Sequence, residues 1–143
     1  MGVRQISVFL ENKAGRLSDV TKVLGDNNVD ISALSIADTT HFGILRLIVN
    51  NPELAENVLK ENGYTVSTSY VIAIAIDDNP GALAKALEVL TDNDITIEYI
   101  YAFTGKTESK ALVVLKVEDI ERSTDLLKEK NIKVLKDSEV YSL

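Results

Sequence analysis

Two seven-residue segments hold the side chains whose types and spacing could do chemistry. Glu11-Asn12-Lys13-Ala14-Gly15-Arg16-Leu17 and Asp77-Asp78-Asn79-Pro80-Gly81-Ala82-Leu83 share one pattern: an acid, an amide or acid, two residues, a glycine, one residue, a leucine. Each lies between a β-rich apolar run and an apolar run of helical period. A helix that starts there leaves about four backbone N–H groups unpaired and carries roughly +0.5 of a charge at that end. Glycine lets a ligand approach the backbone closely. Such an end is prepared for a carboxylate. A side-chain oxygen of Asn12 or Asp78 can accept from an ammonium group, so each segment has the means to read both ends of an α-amino acid. Leu17, Ile36 and Leu83 offer an apolar lining.

The two segments differ in how complete they are alone. Asn79 suits an N-cap and Pro80 the first helical position, so the second segment is expected to satisfy its own helix. Asp77 and Asp78 would also repel a carboxylate. In the first segment Lys13 stands where Asn79 stands in the second, and lysine cannot cap. Lys13 and Arg16 add positive charge. An amino acid is therefore expected to bind first at the Asn12 turn.

Other chemistry is poorly supplied. The chain has no cysteine, which excludes disulfides, thiolate catalysis and zinc–thiolate sites. His41 is the one histidine, in a polar turn, and cannot build a metal site alone. Asp77 and Asp78 are adjacent at a strand end and point apart, so they make no catalytic pair. Tyr99, Tyr101 and Phe103 alternate along a strand as packing residues do. No phosphate loop, nucleophile elbow or HExxH segment occurs. Arg16 with Asn12 is only a formal match to acylphosphatase chemistry. Neither metal nor cofactor is expected. A net charge of −7 argues against a nucleic acid or an anionic membrane as partner. The first residues lack a long apolar run, so a cytoplasmic location is the expectation.

The elements that position these segments come in two copies. Slid by 66 positions, residues 6–31 fall on 72–97 without a gap: Gly15 on Gly81, Leu17 on Leu83, Asp26-Asn27 on Asp92-Asn93, Ile31 on Ile97. From the second helix the offset is 68, with "VLKENGYTV" on "LLKEKNIKV". Copy one predicts a strand over Gln5–Leu10, a helix over Ala14–Asp26, strands at "VDISALSIA" and "ILRLIV" around a turn "DTTHFG", a helix from Pro52 to Asn62-Gly63, and a short strand "YTVSTS". Copy two predicts the same over Val71–Ile76, Gly81–Asp92, Thr96–Phe103, Ala111–Val117, Ile120–Lys130 and Lys133–Leu135, with a polar hairpin tip "TGKTESK". The tail "DSEVYSL" is expected to add a strand. The plan is α+β: two ferredoxin-like βαββαβ units in tandem, residues 1–69 and 70–143, each an antiparallel sheet with its helices on one face. The third strands are apolar on both sides, so the copies are expected to pack together and the chain to form a homodimer.

The repeated turn inside this element order resembles the ACT domain, a small-molecule regulatory module of amino-acid metabolism. The first copy, "ENKAGRL", is similar to the regulatory domain of serine-inhibited phosphoglycerate dehydrogenase. The second, "DDNPGAL", is close to the common ACT pattern. The resemblance implies an effector site between neighbouring units, with a contribution from an asparagine at the start of the second strand. The matching positions are Asn12 and Asp30 in copy one and Asp78 and Thr96 in copy two, so the strand asparagine is replaced in both. Facing-strand residues Ser35, Ile36, Ala37, Tyr99 and Tyr101 would complete such a site. The resemblance implies a non-catalytic sensor that binds an amino acid and regulates a separate enzyme or regulator. A structural subunit of an enzyme complex with a vestigial site is the alternative.

Overall fold

The computed structural model describes residues 2–38, 41–105 and 109–143. The hairpin tips expected at "DTTHFG" and "TGKTESK" lie partly outside this set. The described residues form seven strands and five helices, in two compact units.

The first unit holds Arg4–Ser69 with the last residues Tyr141–Leu143. Its strands are β1 (Val3–Glu11), β2 (Ile31–Asp38), β3 (Phe42–Val49) and the start of β4 (Thr65–Asp77). Their order is β2-β3-β1-β4, the ferredoxin-like arrangement. Its helices are α1 (Arg16–Asp26) and α2 (Pro52–Glu61). The β1–β3 register sets Ile6 opposite Leu47, Val8 opposite Leu45 and Leu10 opposite Gly43. Alternation puts these apolar residues on the helix-facing side, where they pack with Val20, Leu24, Ala55 and Leu59. Complete burial of a side chain such as Leu24 stabilises the unit by about 1.5–3 kcal/mol.

The second unit holds Tyr70–Val140 with Val3 from the N-terminus. It contains the end of β4, then α3 (Ala82–Thr91), β5 (Ile97–Ala102), β6 (Lys110–Val117), α4 (Ile120–Glu129), β7 (Lys133–Val134) and α5 (Asp137–Tyr141). The strand order is β7-β4-β6-β5. Ile72, Ile74, Leu115, Leu90 and Leu127 form its core. The side of each sheet away from its helices also carries buried residues, among them Gln5 and Ile48 in one unit and Val71 and Val114 in the other.

The duplication extends to backbone dihedrals. Asn28 (φ 59°) and Asp94 (φ 56°) end the first helix of each copy, and Gly63 (φ 85°) and Asn131 (φ 60°) end the second. Asn27 and Asn93 each donate from the side-chain amide to the carbonyl four residues back, at 2.8 Å. Two expectations fail. "YTVSTS" and Val71–Ile76 run together in one continuous 13-residue strand, Thr65–Asp77, because no glycine, proline or asparagine interrupts it. The tail is the helix α5, not a strand. Glu139 accepts from the Lys136 N–H at 3.1 Å and Asp137 from the Ser138 N–H at 2.8 Å, so its acids satisfy a helix start.

Candidate ligand site

The first helices begin later than their sequence suggests. Helix α1 starts at Arg16 rather than Ala14, and α3 at Ala82 rather than Gly81. The residue before each is a glycine in the left-handed region: Gly15 at φ 88°, ψ −13°, and Gly81 at φ 89°, ψ −12°. No side chain caps either helix. Asn79 is therefore not an N-cap and Pro80 is not the first helical residue. The left-handed glycine turns the chain after them, and the Asn79 carbonyl accepts from the Ala82 N–H at 3.3 Å. Lys13 does the same for Arg16 at 3.4 Å. The two turns have one conformation, so the difference in capping expected between them does not exist.

The second helices of both units are capped. Asn51 accepts from the Leu54 N–H at 3.2 Å, and Asp119 from the Arg122 N–H at 3.0 Å. Among the described residues nothing accepts from the N–H groups of Leu17 and Ser18 in α1, or of Leu83 and Ala84 in α3. The unsatisfied helix ends are those in the chemically distinctive segments.

The charges around the two ends differ. Lys13 Nζ lies 2.9 Å from Glu11 Oε2, and Arg16 Nη2 lies 4.0 Å from Glu11 Oε1. The Lys13 hydrogen bond, then the charges of Lys13 and Arg16, hold the Glu11 carboxyl below its usual value. The first turn thus presents a carboxylate among two cations. Asn12 donates its N–H to the His41 carbonyl at 3.1 Å. Glu11, Asn12, Lys13, His41 and Phe42 line a cavity of about 420 Å³. In the second turn Lys110 pairs with Asp77 and, chiefly through that hydrogen bond, lowers its pKa. The repulsion expected from Asp77 is offset by this ammonium group. Asp78 donates its N–H to the Ser109 carbonyl at 3.0 Å.

Of the remaining sequence-derived residues, Ile36 stands opposite Leu45 on the helix-facing side and lies close to Gly43, near the first turn. Leu17 and Leu83 are each 38% exposed at matching helix positions. Ser35 and Ala37 face away from the helices, opposite Arg46 and Ile44. Tyr99 and Tyr101 lie on the corresponding side of β5, their rings stacked with centroids 6.4 Å apart. Asp30 and Thr96 do not join the turns of their own units. Asp30 exchanges hydrogen bonds with Asn50 at the far end of β2, roughly 25 Å along the strand from the Asn12 turn at ~3.3 Å per residue. The Thr96 N–H points to Glu118 at the same end of its sheet. Among the described residues no group of three or more His, Asp or Glu side chains is placed to hold a metal ion.

His41, Phe42 and Lys110 were not expected at these turns. The signal was strand register, which sets Phe42 opposite Glu11 and Lys110 opposite Asp77.

Over residues 1–143 the chain matches the family described as the ACT domain pair. The chain belongs to the ACT domain pair family. This ACT pair is 41% identical to protein BT0572 from Bacteroides thetaiotaomicron, covering 100% of this chain and 98% of that one with a TM-score of 0.93. Its fold is also that of the regulatory subunit of aspartate kinase from Thermus thermophilus, with 14% identity, 90% and 91% coverage and a TM-score of 0.67. Aspartate kinase from Synechocystis is similar at 22% identity and a TM-score of 0.60, covering 90% of this ACT pair but 25% of the kinase chain. No curated protein matches the ACT pair significantly. Among its described residues no helix is long and apolar enough to cross a membrane.

Proposed function

We propose that this ACT pair, with units 1–69 and 70–143, is a non-catalytic cytoplasmic sensor. It binds an α-amino acid at the first turn and regulates a separate enzyme or regulator of amino-acid metabolism. The carrying observation is the contrast in helix ends: α2 and α4 are capped by Asn51 and Asp119, whereas α1 and α3 begin at left-handed glycines with unpartnered N–H groups. The first turn adds charges of both signs, which suit a zwitterion. The ligand carboxylate meets the N–H groups near Leu17, with Lys13 and Arg16 beside them. The ammonium group meets the Asn12 side-chain oxygen and Glu11. The segment Asp78–Leu83 is the corresponding second site.

Asp30 lies far from the turn in its own unit, so to complete the Asn12 turn it must come from a second copy of the chain. A homodimer follows from that role, and exposed Leu17, Leu34 and Ile36 along α1 and β2 support it. Light scattering at micromolar concentration is expected to give at least a dimer; a monomer removes Asp30 from the site.

Thermal-shift measurements with the twenty amino acids test the sensor itself. A ligand at 100 times its dissociation constant stabilises the fold by about 2.7 kcal/mol. A charge-assisted contact is worth about 1.5–3 kcal/mol, so Asn12→Ala should weaken binding tenfold or more, and Asp78→Ala less. No shift with any amino acid overturns the sensor reading. A larger loss from Asp78→Ala moves the primary site to the second turn.

A further inference from the structure

Below the second turn lies a cavity of about 460 Å³, walled by apolar residues of β4 and α3 and rimmed by Lys85, Lys110, Lys130, Asn79 and Asn131. Its size is that of a small-molecule pocket. The one carboxylate lining it is Asp77, already paired with Lys110. Among the described residues no carboxylate lies within ion-pair distance of Lys85 or Lys130. Three ammonium groups against one carboxylate make a locally cationic cavity in a chain of net charge −7.

The corresponding positions of the first unit show that this charge is not inherited from the fold. Strand register pairs Asp77 with Lys110 where it pairs Glu11 with Phe42. The residue that ends α4 is Lys130, and the one that ends α2 is Asn62. Lys85 donates its N–H to the Gly81 carbonyl as Asp19 does to Gly15. Lysines thus stand where the first unit has an aspartate, a phenylalanine and an asparagine.

Lys85 is the most informative of the three. It sits in the first turn of α3, where the helix dipole disfavours a cation; the first unit places Asp19 there, as the dipole prefers. A residue that opposes its local electrostatics without an internal partner points to an external one. We propose that this cavity binds a small dianion, a dicarboxylate or a phosphoryl group, with Lys85 and Lys130 as its main charge partners and Asn79 and Asn131 as hydrogen-bond donors. The cavity shares Asn79, Pro80 and Ala82 with the second turn, but its charge partners Lys85 and Lys130 lie outside that segment, so the proposal does not require the amino-acid reading.

Calorimetric titration of the full chain with succinate and with inorganic phosphate, each against chloride at matched ionic strength, tests the proposal. At least one dianion is expected to bind where chloride does not. Tighter succinate assigns a dicarboxylate, and tighter phosphate a phosphoryl group. Lys85→Ala with Lys130→Ala should raise the dissociation constant tenfold or more and leave any amino-acid-induced melting shift in place. Lys85→Asp should abolish dianion binding while raising the melting temperature of the free protein, which separates lost recognition from failed folding. The proposal is overturned if neither dianion binds better than chloride, or if the double variant binds as the parent does.

Discussion

The two units place the same backbone around different charges. Gly15 and Gly81 agree within a degree in both dihedrals, and both introduce an uncapped helix. Around the first, Glu11 with Lys13 and Arg16 makes a mixed-sign surface. In the cavity beside the second, Lys85, Lys110 and Lys130 outnumber Asp77. Duplication kept the geometry that exposes N–H groups and let the side chains diverge, so equivalent turns carry different charges. The second helices teach the complementary lesson. Both keep side-chain caps, Asn51 and Asp119, so an open helix end is a property of one position in the unit.

Several substitutions would break or sharpen this equivalence. The largest effect is expected in the cores. Leu24→Ala and Leu90→Ala remove fully buried residues at matching positions and should each destabilise by about 2–5 kcal/mol in denaturant titrations. A small loss at one alone would show that the cores are not equivalent.

Gly15→Ala and Gly81→Ala come next. A Cβ at either glycine meets nothing within 4 Å, so the penalty is the left-handed backbone itself, roughly 1–2 kcal/mol at each. A neutral Gly81→Ala would return the helix start to Asn79-Pro80. Ser123 sits fully buried where the first unit has Ala55, and its hydroxyl has no partner among the described residues. Ser123→Ala should stabilise by about 1 kcal/mol, and Ala55→Ser should do the reverse. Urea unfolding of the pair decides it.

The caps give a smaller contrast. Asp119→Ala should destabilise by about 1 kcal/mol, whereas Asn79→Ala should stay within about 0.5 kcal/mol. Equal effects would restore Asn79 as a cap. The smallest effect is a difference in acid sensitivity. Glu56 is held below 4.5, first by its hydrogen bond to Lys60, against the opposing pull of burial and with help from Arg4. A depressed carboxylate contributes fully above its unfolded value and loses that contribution as pH falls through its folded value. Glu56→Gln should therefore flatten the stability profile below about pH 4.5. The second unit has Thr124 at this position. Melting temperatures from pH 7 to 3 check the sign.

Much of this was legible in the residues. Alternating and 3.6-residue apolar patterns act within one element, so strands and helices were found near their true bounds. The helix expected from Pro52 to Asn62-Gly63 ends there because glycine tolerates a left-handed dihedral, φ 85° at Gly63. The same local rules failed at Asn79-Pro80, where a competing glycine two residues on takes the helix start. They failed again in the tail, where the acids of "DSE" serve a helix. Lys85, Lys110 and Lys130 carried no sequence signal as a group, because 45 residues separate the first from the last.

By itself the sequence determined the duplication, the βαββαβ plan and the two glycine turns that join each first strand to its helix. All of these follow from spacing over a few residues or from repetition at a constant offset. Tertiary structure decided which charges face each turn, that Lys110 pairs with Asp77, and that Asp30 stands far from Asn12. Those outcomes depend on strand register and on how helices seat over the sheet. Register is set by the whole buried face at once, since a one-residue slip would turn every core side chain outward.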